Sequence, residues 1–196
     1  LTIPVMAGYL FLGMGFGILL QEKGYSAWWA ILMSVFIYAG SMQYVAVGLL
    51  SGGSSILAAA LMTLMVNARH LFYGISMIEK YKQTGWKKPL LIHTLTDETY
   101  SVVVTKNAPQ GVDPGWFYLT ISLLNQIYWI IGSAVGGLLG EWLPFDSTGI
   151  DFAMTALFLT IFVDQWRESK NHVAAILGVG ISVVSLLIFG ADKFVI

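Results

Sequence analysis

The sequence predicts an all-α fold, a polytopic transmembrane helical bundle of about seven membrane segments with an internal duplication and with broken or re-entrant helices. Three observations predict it. Of 196 residues, 57% are hydrophobic and 11% are charged, and mean hydropathy is +0.74, so the chain carries about half the charge of an ordinary soluble domain. Apolar runs long enough to cross a bilayer recur along the chain, separated by short polar turns. Charged and amide side chains also sit inside several of those runs, where they are costly.

A spanning helix needs about 20 mainly apolar residues. The first run, Ile3–Leu20, lacks the basic start and small-residue cleavage site of a secretory signal and reads as a structural helix. Ala27–Leu50 follows the turn QEKGYS (21–26), and Ser55–Ile78 follows SGGSS (51–55). Lys88–Val104 is the weakest, because HTLTDETY (93–100) puts two adjacent carboxylates in its middle. Trp116–Leu139 follows NAPQGVDPG (107–115), Asp151–Gln165 follows PFDSTG (144–149), and His172–Phe189 is the seventh. No connection is long enough to divide the chain, so residues 1–196 are expected to form a single membrane domain.

Gly13 with Gly17, and Gly132 with Gly136 and Gly140, lie at the spacing that lets helix backbones approach closely in lipid. Trp28, Trp29, Trp86, Trp116, Trp142 and Trp166 fall at segment ends and fit interfacial belts. A faint repeat pairs GMGFGILLQE (13–22) and a later SMQ (41–43) with GSAVGGLLGE (132–141) and a later VDQ (163–165). If every segment crosses, Lys23, Lys80, Lys82, Lys87, Lys88 and Lys193 face Lys106, Arg167 and Lys170 across the membrane. If Lys88–Val104 instead enters and leaves on one side, only Lys193 is separated from the others, a cleaner positive-inside pattern that also inverts the repeat. The TDE segment is therefore expected not to cross fully, its irregular backbone sheltered by protein or facing a wet cavity.

Three polar clusters lie inside apolar segments. In YAGSMQ (38–43), Tyr38, Gly40, Ser41 and Gln43 stand where a loosened backbone exposes carbonyls to a ligand; the alternative is a kink, with Gln43 bonded across the bundle. In NARH (67–70), Arg69 keeps its charge in nearly any environment and must find an anion, with Asn67 and His70 beside it. That anion is substrate, or Asp97 or Glu98; otherwise Arg69 snorkels to the charged loop at 79–88. In TDETY (96–100), Asp97 and Glu98 point about 100° apart on a helix, so one can face Arg69 and the other a cavity, with Thr99 adjoining. Adjacent buried acids resist double ionisation, which suits proton coupling; the alternative is a solvated interfacial turn. Asp164 and Gln165 end the sixth segment as weaker candidates that an interfacial position also explains.

Several chemistries are set aside. Ten basic against eleven acidic residues leave no surplus to draw nucleic acid. There is no cysteine, no histidine pairing at metal-ligand spacing, no phosphate-binding or dinucleotide loop and no nucleophile elbow, so neither an enzyme nor a metal or other cofactor is expected.

FxYAGSMQ (36–43), VNARHLFYG (66–74), LTDETYSV (95–102) and DFAMTALF (151–158), in this order and spacing, resemble the AzlC family of branched-chain amino acid exporters. The likeness covers most of the chain, although family members usually continue through another apolar stretch. It implies a secondary transporter domain in the bacterial inner membrane that exports leucine, isoleucine and valine. It also implies a small membrane partner of the AzlD type, with lipid and small hydrophobic amino acids as the other partners. The residues fit such a task, since a zwitterion needs a cation, an anion or carbonyls, and an apolar pocket. The alternative is a membrane scaffold whose polar clusters bind partner helices.

Overall fold

The computed structural model describes residues 1–142 and 171–190, with isolated positions 152, 156, 159, 162, 163, 166 and 167 between them. Among the described residues regular structure is helical throughout: α1 (Ile3–Glu22), α2 (Ala27–Phe36), α3 (Gly40–Ser51), α4 (Ile56–Asn67), α5 (Arg69–Met77), a 3-10 turn (Gly85–Lys87), α6 (Lys88–His93), α7 (Asp97–Thr105), α8 (Pro114–Trp142) and α9 (Val173–Phe189). Two of these, α1 and α8, are uninterrupted and apolar enough to cross a membrane, and α4 with α5 makes a third crossing bent by 48°. Seven crossings are therefore not what the described residues form.

The glycine stripes explain how α1 and α8 meet. Gly13 lies against Trp129, Gly132 and Ser133, Gly17 against Ser133, Gly136 and Gly137, and Gly140 against Gln21. Residue numbers rise together, so the helices run parallel. The stretches 13–22 and 132–141 thus pack side by side in the same direction, which corrects the expected inversion of that repeat. The reason is that two segments turn back between them, where one was expected.

The first of these is the second predicted span. Gln43 Nε2 donates to Ser34 Oγ at 3.2 Å, whereas nine residues of continuous helix would rise about 13.5 Å. Helix α2 descends along α8, with the Ala27 N–H on Glu141 Oε1 (3.0 Å), Ser34 on Ser133 (2.9 Å) and Val35 O accepting from Gln126 Nε2 (3.1 Å). Helix α3 then climbs back along α1, from Gly40 under the Trp129 ring to Tyr44, whose hydroxyl donates to Leu12 O (2.5 Å). The reversal turns on Tyr38 at φ +43°, a left-handed conformation costing of order 1–3 kcal/mol for such a residue. Tyr38 is 3% exposed and packs into the core with Tyr9, Phe16 and Trp129.

The fourth predicted span also doubles back, as expected. Lys80, ahead of it, donates to Val103 O (2.6 Å) and Val104 O (3.0 Å) near its end, while its middle reaches Tyr9 of α1 through Thr96 (2.6 Å). The first two crossings are thus each followed by a helical hairpin entering from the end the crossing has reached. After α1 comes α2–α3, and after α4–α5 comes α6–α7. Lys23 consequently lies at the opposite end from Lys80, Lys82, Lys87, Lys88 and Lys106, a second correction to the expected charge map.

Two cores hold the hairpins. Phe16, Leu19, Leu20, Ala30, Tyr44, Val47 and Trp129 pack the first against α1 and α8. Met77, Tyr81, Leu91, Leu95, Val103, Tyr118 and Leu119 pack the second against the other half of α8. By contrast, α4 buries no residue and α5 only Met77, an apolar outer face suited to lipid. Trp28, Trp29 and Trp142 are exposed at one end and Trp86 and Trp116 at the other, as an aromatic belt requires. At the latter end the Trp116 N–H (2.8 Å) and Lys87 Nζ (3.2 Å) meet Asp113. These donors, the backbone N–H foremost, hold its carboxyl below the ordinary value.

Candidate functional site

The tips of the two hairpins meet midway through the bundle, beside the bend between α4 and α5. Side chains and backbone of Tyr38, Gly40, Ser41, Arg69, His70, Asp97 and Glu98 line one interior cavity with Tyr9, Leu12, Thr96 and Trp129. It measures about 30 Å³, room for one or two waters rather than an organic solute. The sequence motifs at 36–43, 66–74 and 95–102 therefore converge on one place because each contains a helix break.

Arg69 joins all three breaks. Its Nε donates to Asp97 Oδ1 at 2.9 Å and its Nη2 to Ser41 Oγ at 2.8 Å. The guanidinium supplies the rigid fork of donors that such bridging needs. Both partners of the pair are about four-fifths buried, so Arg69 does not snorkel to the loop at 79–88. Of the two acids, Asp97 is its partner.

Glu98 is held differently. Its Oε2 accepts the Tyr9 hydroxyl at 2.7 Å, and that hydroxyl also lies 2.6 Å from Thr96 Oγ1. Thr96 caps α7 by accepting the Thr99 N–H (3.3 Å) and donates to Thr99 Oγ1 (3.0 Å), which also accepts from Asn125 Nδ2 (3.0 Å). The Tyr38 hydroxyl is buried at the cavity without a hydrogen-bond partner. His70 rests with Nδ1 3.3 Å from Asn67 O, its ring against Tyr73.

Three candidates lie off the cavity. Gln43 is fully buried between Ser34 and Trp129, whose Nε1 donates to its Oε1 at 2.9 Å, so it ties α3 to α2 and α8. Thr99 is fully buried inside the Thr96–Asn125 network. Asn67 leaves its Oδ1 buried and unpartnered outside the cavity lining. Asp164 and Gln165 fall outside the described residues. Sequence reasoning missed Tyr9 and Trp129. Asn125, Trp129 and Ser133 at spacings of four mark one polar-tipped face of α8 that was legible; Tyr9 carried no comparable signal.

A second cavity of about 200 Å³ shares the His70 wall and is otherwise lined by Gly74, Met77, Ile78, Tyr81, Lys88, Ile92 and Leu95. An ion-paired cluster at the meeting of broken helices inside an apolar bundle defines an integral membrane protein of the transport class. The family described as AzlC protein matches residues 4–143. The branched-chain amino acid transport protein AzlC of Bacillus subtilis is 50% identical over the whole of this chain and 77% of its own length. An uncharacterized membrane protein of Haemophilus influenzae is 44% identical over the whole chain and 80% of its own length. The inner membrane protein YgaZ of Escherichia coli is 26% identical over 87% of the chain and 72% of its own length. The chain belongs to the AzlC family, whose members are membrane transport proteins and not enzymes. No solved structure matches it.

Proposed function

We propose that residues 1–196 form one transport domain that exports leucine, isoleucine and valine across the bacterial inner membrane, coupled to protons and working with a small AzlD-type subunit. The observation that carries the reading is the Arg69–Asp97 pair bridging both hairpin tips at an interior cavity. A zwitterionic amino acid substitutes for that pair end for end, its carboxylate on Arg69 and its ammonium on Asp97. Neither protein charge is then left stranded, a condition that desolvated ions demand. The apolar cavity beyond His70 supports an aliphatic side chain, as does the transported class named for the Bacillus relative. The small polar cavity fits a closed state, from which separation of the hairpin tips opens the site to either side. The lysine-rich end, with Lys80, Lys82, Lys87, Lys88 and Lys106, is placed in the cytoplasm by the positive-inside rule.

The test is flux. Reconstituted with its small subunit, the protein should move labelled leucine or valine outward, and no flux under any ion gradient would sink the proposal. Single cysteines in this cysteine-free chain separate transporter from scaffold. Ser41→Cys should react with a water-soluble thiol reagent in at least one state, while Thr99→Cys stays protected. Protection of Ser41→Cys in every state favours the scaffold.

A further inference from the structure

The two adjacent acids of the site have different partners, and the difference carries a division of labour. Asp97 is neutralised by Arg69 at 2.9 Å. Glu98, next in the chain, has no cation within 4.0 Å among the described residues, and its side chain meets the neutral hydroxyl of Tyr9. The start of α7 favours a negative charge on either acid and so does not distinguish them. What distinguishes them is that protonating Asp97 would strand a desolvated guanidinium, whereas protonating Glu98 strands nothing.

We propose that Glu98 is the residue that carries the coupling proton, that Asp97 stays ionised throughout, and that Tyr9 is the positioning residue that reports the state of Glu98 to α1. This rests on the reading of the protein as a proton-coupled transporter and assigns its proton site. The groups facing Glu98 are Tyr9 from α1, Tyr38 from the first hairpin, Arg69 and His70 from α5, and Asp97 on its own helix. Only Glu98 among them is an acid free of a cation.

The surrounding hydrogen bonds suit both of its states. With Glu98 ionised, Tyr9 donates to the carboxylate at 2.7 Å and the Thr96 hydroxyl donates to Tyr9 at 2.6 Å. When a proton from cavity water binds Glu98 Oε2, the new O–H donates to Tyr9, whose own hydrogen turns to Thr96 Oγ1 at 2.6 Å. Thr96 in turn swings its hydrogen to Thr99 Oγ1 at 3.0 Å. Two hydroxyls rotate, one proton is taken up, and Glu98, Tyr9 and Thr96 each keep a hydrogen-bond partner in both states. The same steps reversed release the proton to water when the site faces the other side. Tyr9 sits on the helix that packs along α8 and accepts the Tyr44 hydroxyl at Leu12, so a change at its hydroxyl reaches the first hairpin directly.

The experiment has two arms. In the first, infrared difference spectra of the purified protein in lipid are recorded across pH. A buried protonated-carboxyl band should rise on acidification, persist in Asp97→Asn, vanish in Glu98→Gln, and titrate at a displaced midpoint in Tyr9→Phe. In the second, vesicles containing the protein and its small subunit are assayed for leucine accumulation driven by a pH gradient and for equal exchange of labelled leucine. Glu98→Gln should lose accumulation and retain exchange, which also shows that it is folded. Accumulation retained in Glu98→Gln, or a carboxyl band that survives it, overturns the assignment. Should Glu98→Gln fail to reconstitute, an isotope label in the glutamate or aspartate carboxyls of the wild-type protein decides, since a band that moves with the aspartate label refutes the proposal. Absence of exchange in the wild type defeats the transport reading instead, and the infrared arm still stands by itself.

Discussion

Substituting Gly17 by Ala tests the parallel packing of α1 on α8. A Cβ built at Gly17 overlaps the Ser133 carbonyl oxygen and the Gly137 nitrogen, and comes within 2.9 Å of the Gly136 carbonyl carbon. All three are backbone atoms of α8, so no side chain can swing aside and the helices themselves must separate. Forcing extra methyl volume into a packed interface costs about 1–3 kcal/mol, and the rigidity of both partners puts this site at the upper end. Alanine is the better helix former by about 1 kcal/mol, which offsets part of that loss. The net expectation is a destabilisation of about 2 kcal/mol, or nearly thirtyfold in the folding equilibrium. Gly8→Ala is the internal control: nothing lies within 4 Å of its built Cβ, so only the helix-propensity gain applies. Denaturant unfolding in mixed micelles, followed by tryptophan fluorescence, measures both. Equal stability of the two variants would refute the close parallel contact of α1 and α8.

Two further outcomes follow from single contacts. Trp129→Phe removes the donor to the fully buried Gln43 Oε1, leaving an unsatisfied acceptor worth about 1–3 kcal/mol; Trp129→Phe combined with Gln43→Leu should recover part of that loss in the same unfolding assay. Folding lowers the pKa of Asp113. The group therefore stabilises above the ordinary carboxylate value of about 3.9, and that contribution is lost as pH falls toward the lowered one. The stability difference between wild type and Asp113→Asn should shrink on acidification through that window, and a difference that grows there would contradict the arrangement at the start of α8.

Much of the architecture was written in composition and spacing. The glycine stripes at 13/17 and 132/136/140 did mark a helix contact, because small residues serve the same purpose wherever they sit on a lipid-embedded helix. The tryptophans marked the ends for an equally general reason. The return of Lys88–Val104 was legible because two acids in mid-segment contradict a simple crossing. The return of Ala27–Leu50 was not, since its reversal uses Tyr38 and Ala39, both apolar enough to sit in a span, and stores the turn in a left-handed backbone at an aromatic residue. Missing that reversal put Lys23 on the wrong side and inverted the repeat. Within the site, Arg69 had to have an anion, and its alternatives were few. Which of two neighbouring acids it takes depends on side-chain direction at the first turn of α7, something that residue order alone does not fix. Tyr9 escaped notice because its partners are 87 and 89 residues away.

The choice between those acids makes a sharp test. Both members of the Arg69–Asp97 pair are about four-fifths buried, so removing either strands the other in a poorly solvated site. Breaking such a pair costs about 3–5 kcal/mol, and the remaining exposure of each side chain favours the lower figure. Arg69→Gln and Asp97→Asn should each lower stability by about 3 kcal/mol, whereas Glu98→Gln, which strands no charge, should cost about 1 kcal/mol for the weakened Tyr9 bond. The double variant Arg69→Gln with Asp97→Asn leaves two neutral amides within hydrogen-bond reach. It should therefore unfold later than the worse of its parent variants, with a coupling of up to about 3 kcal/mol. Arg69→Gln with Glu98→Gln should couple much more weakly, since those side chains share no bond and interact only across the cavity. Measured in parallel, neither double variant should transport, because the first has lost both charges proposed to hold the substrate and the second has lost its cation. Strong coupling of Arg69 to Glu98 in place of Asp97 would overturn both the pairing and the role given to Glu98. Additivity in both combinations would show that Arg69 is satisfied from elsewhere and that the meeting of the hairpin tips does not depend on it.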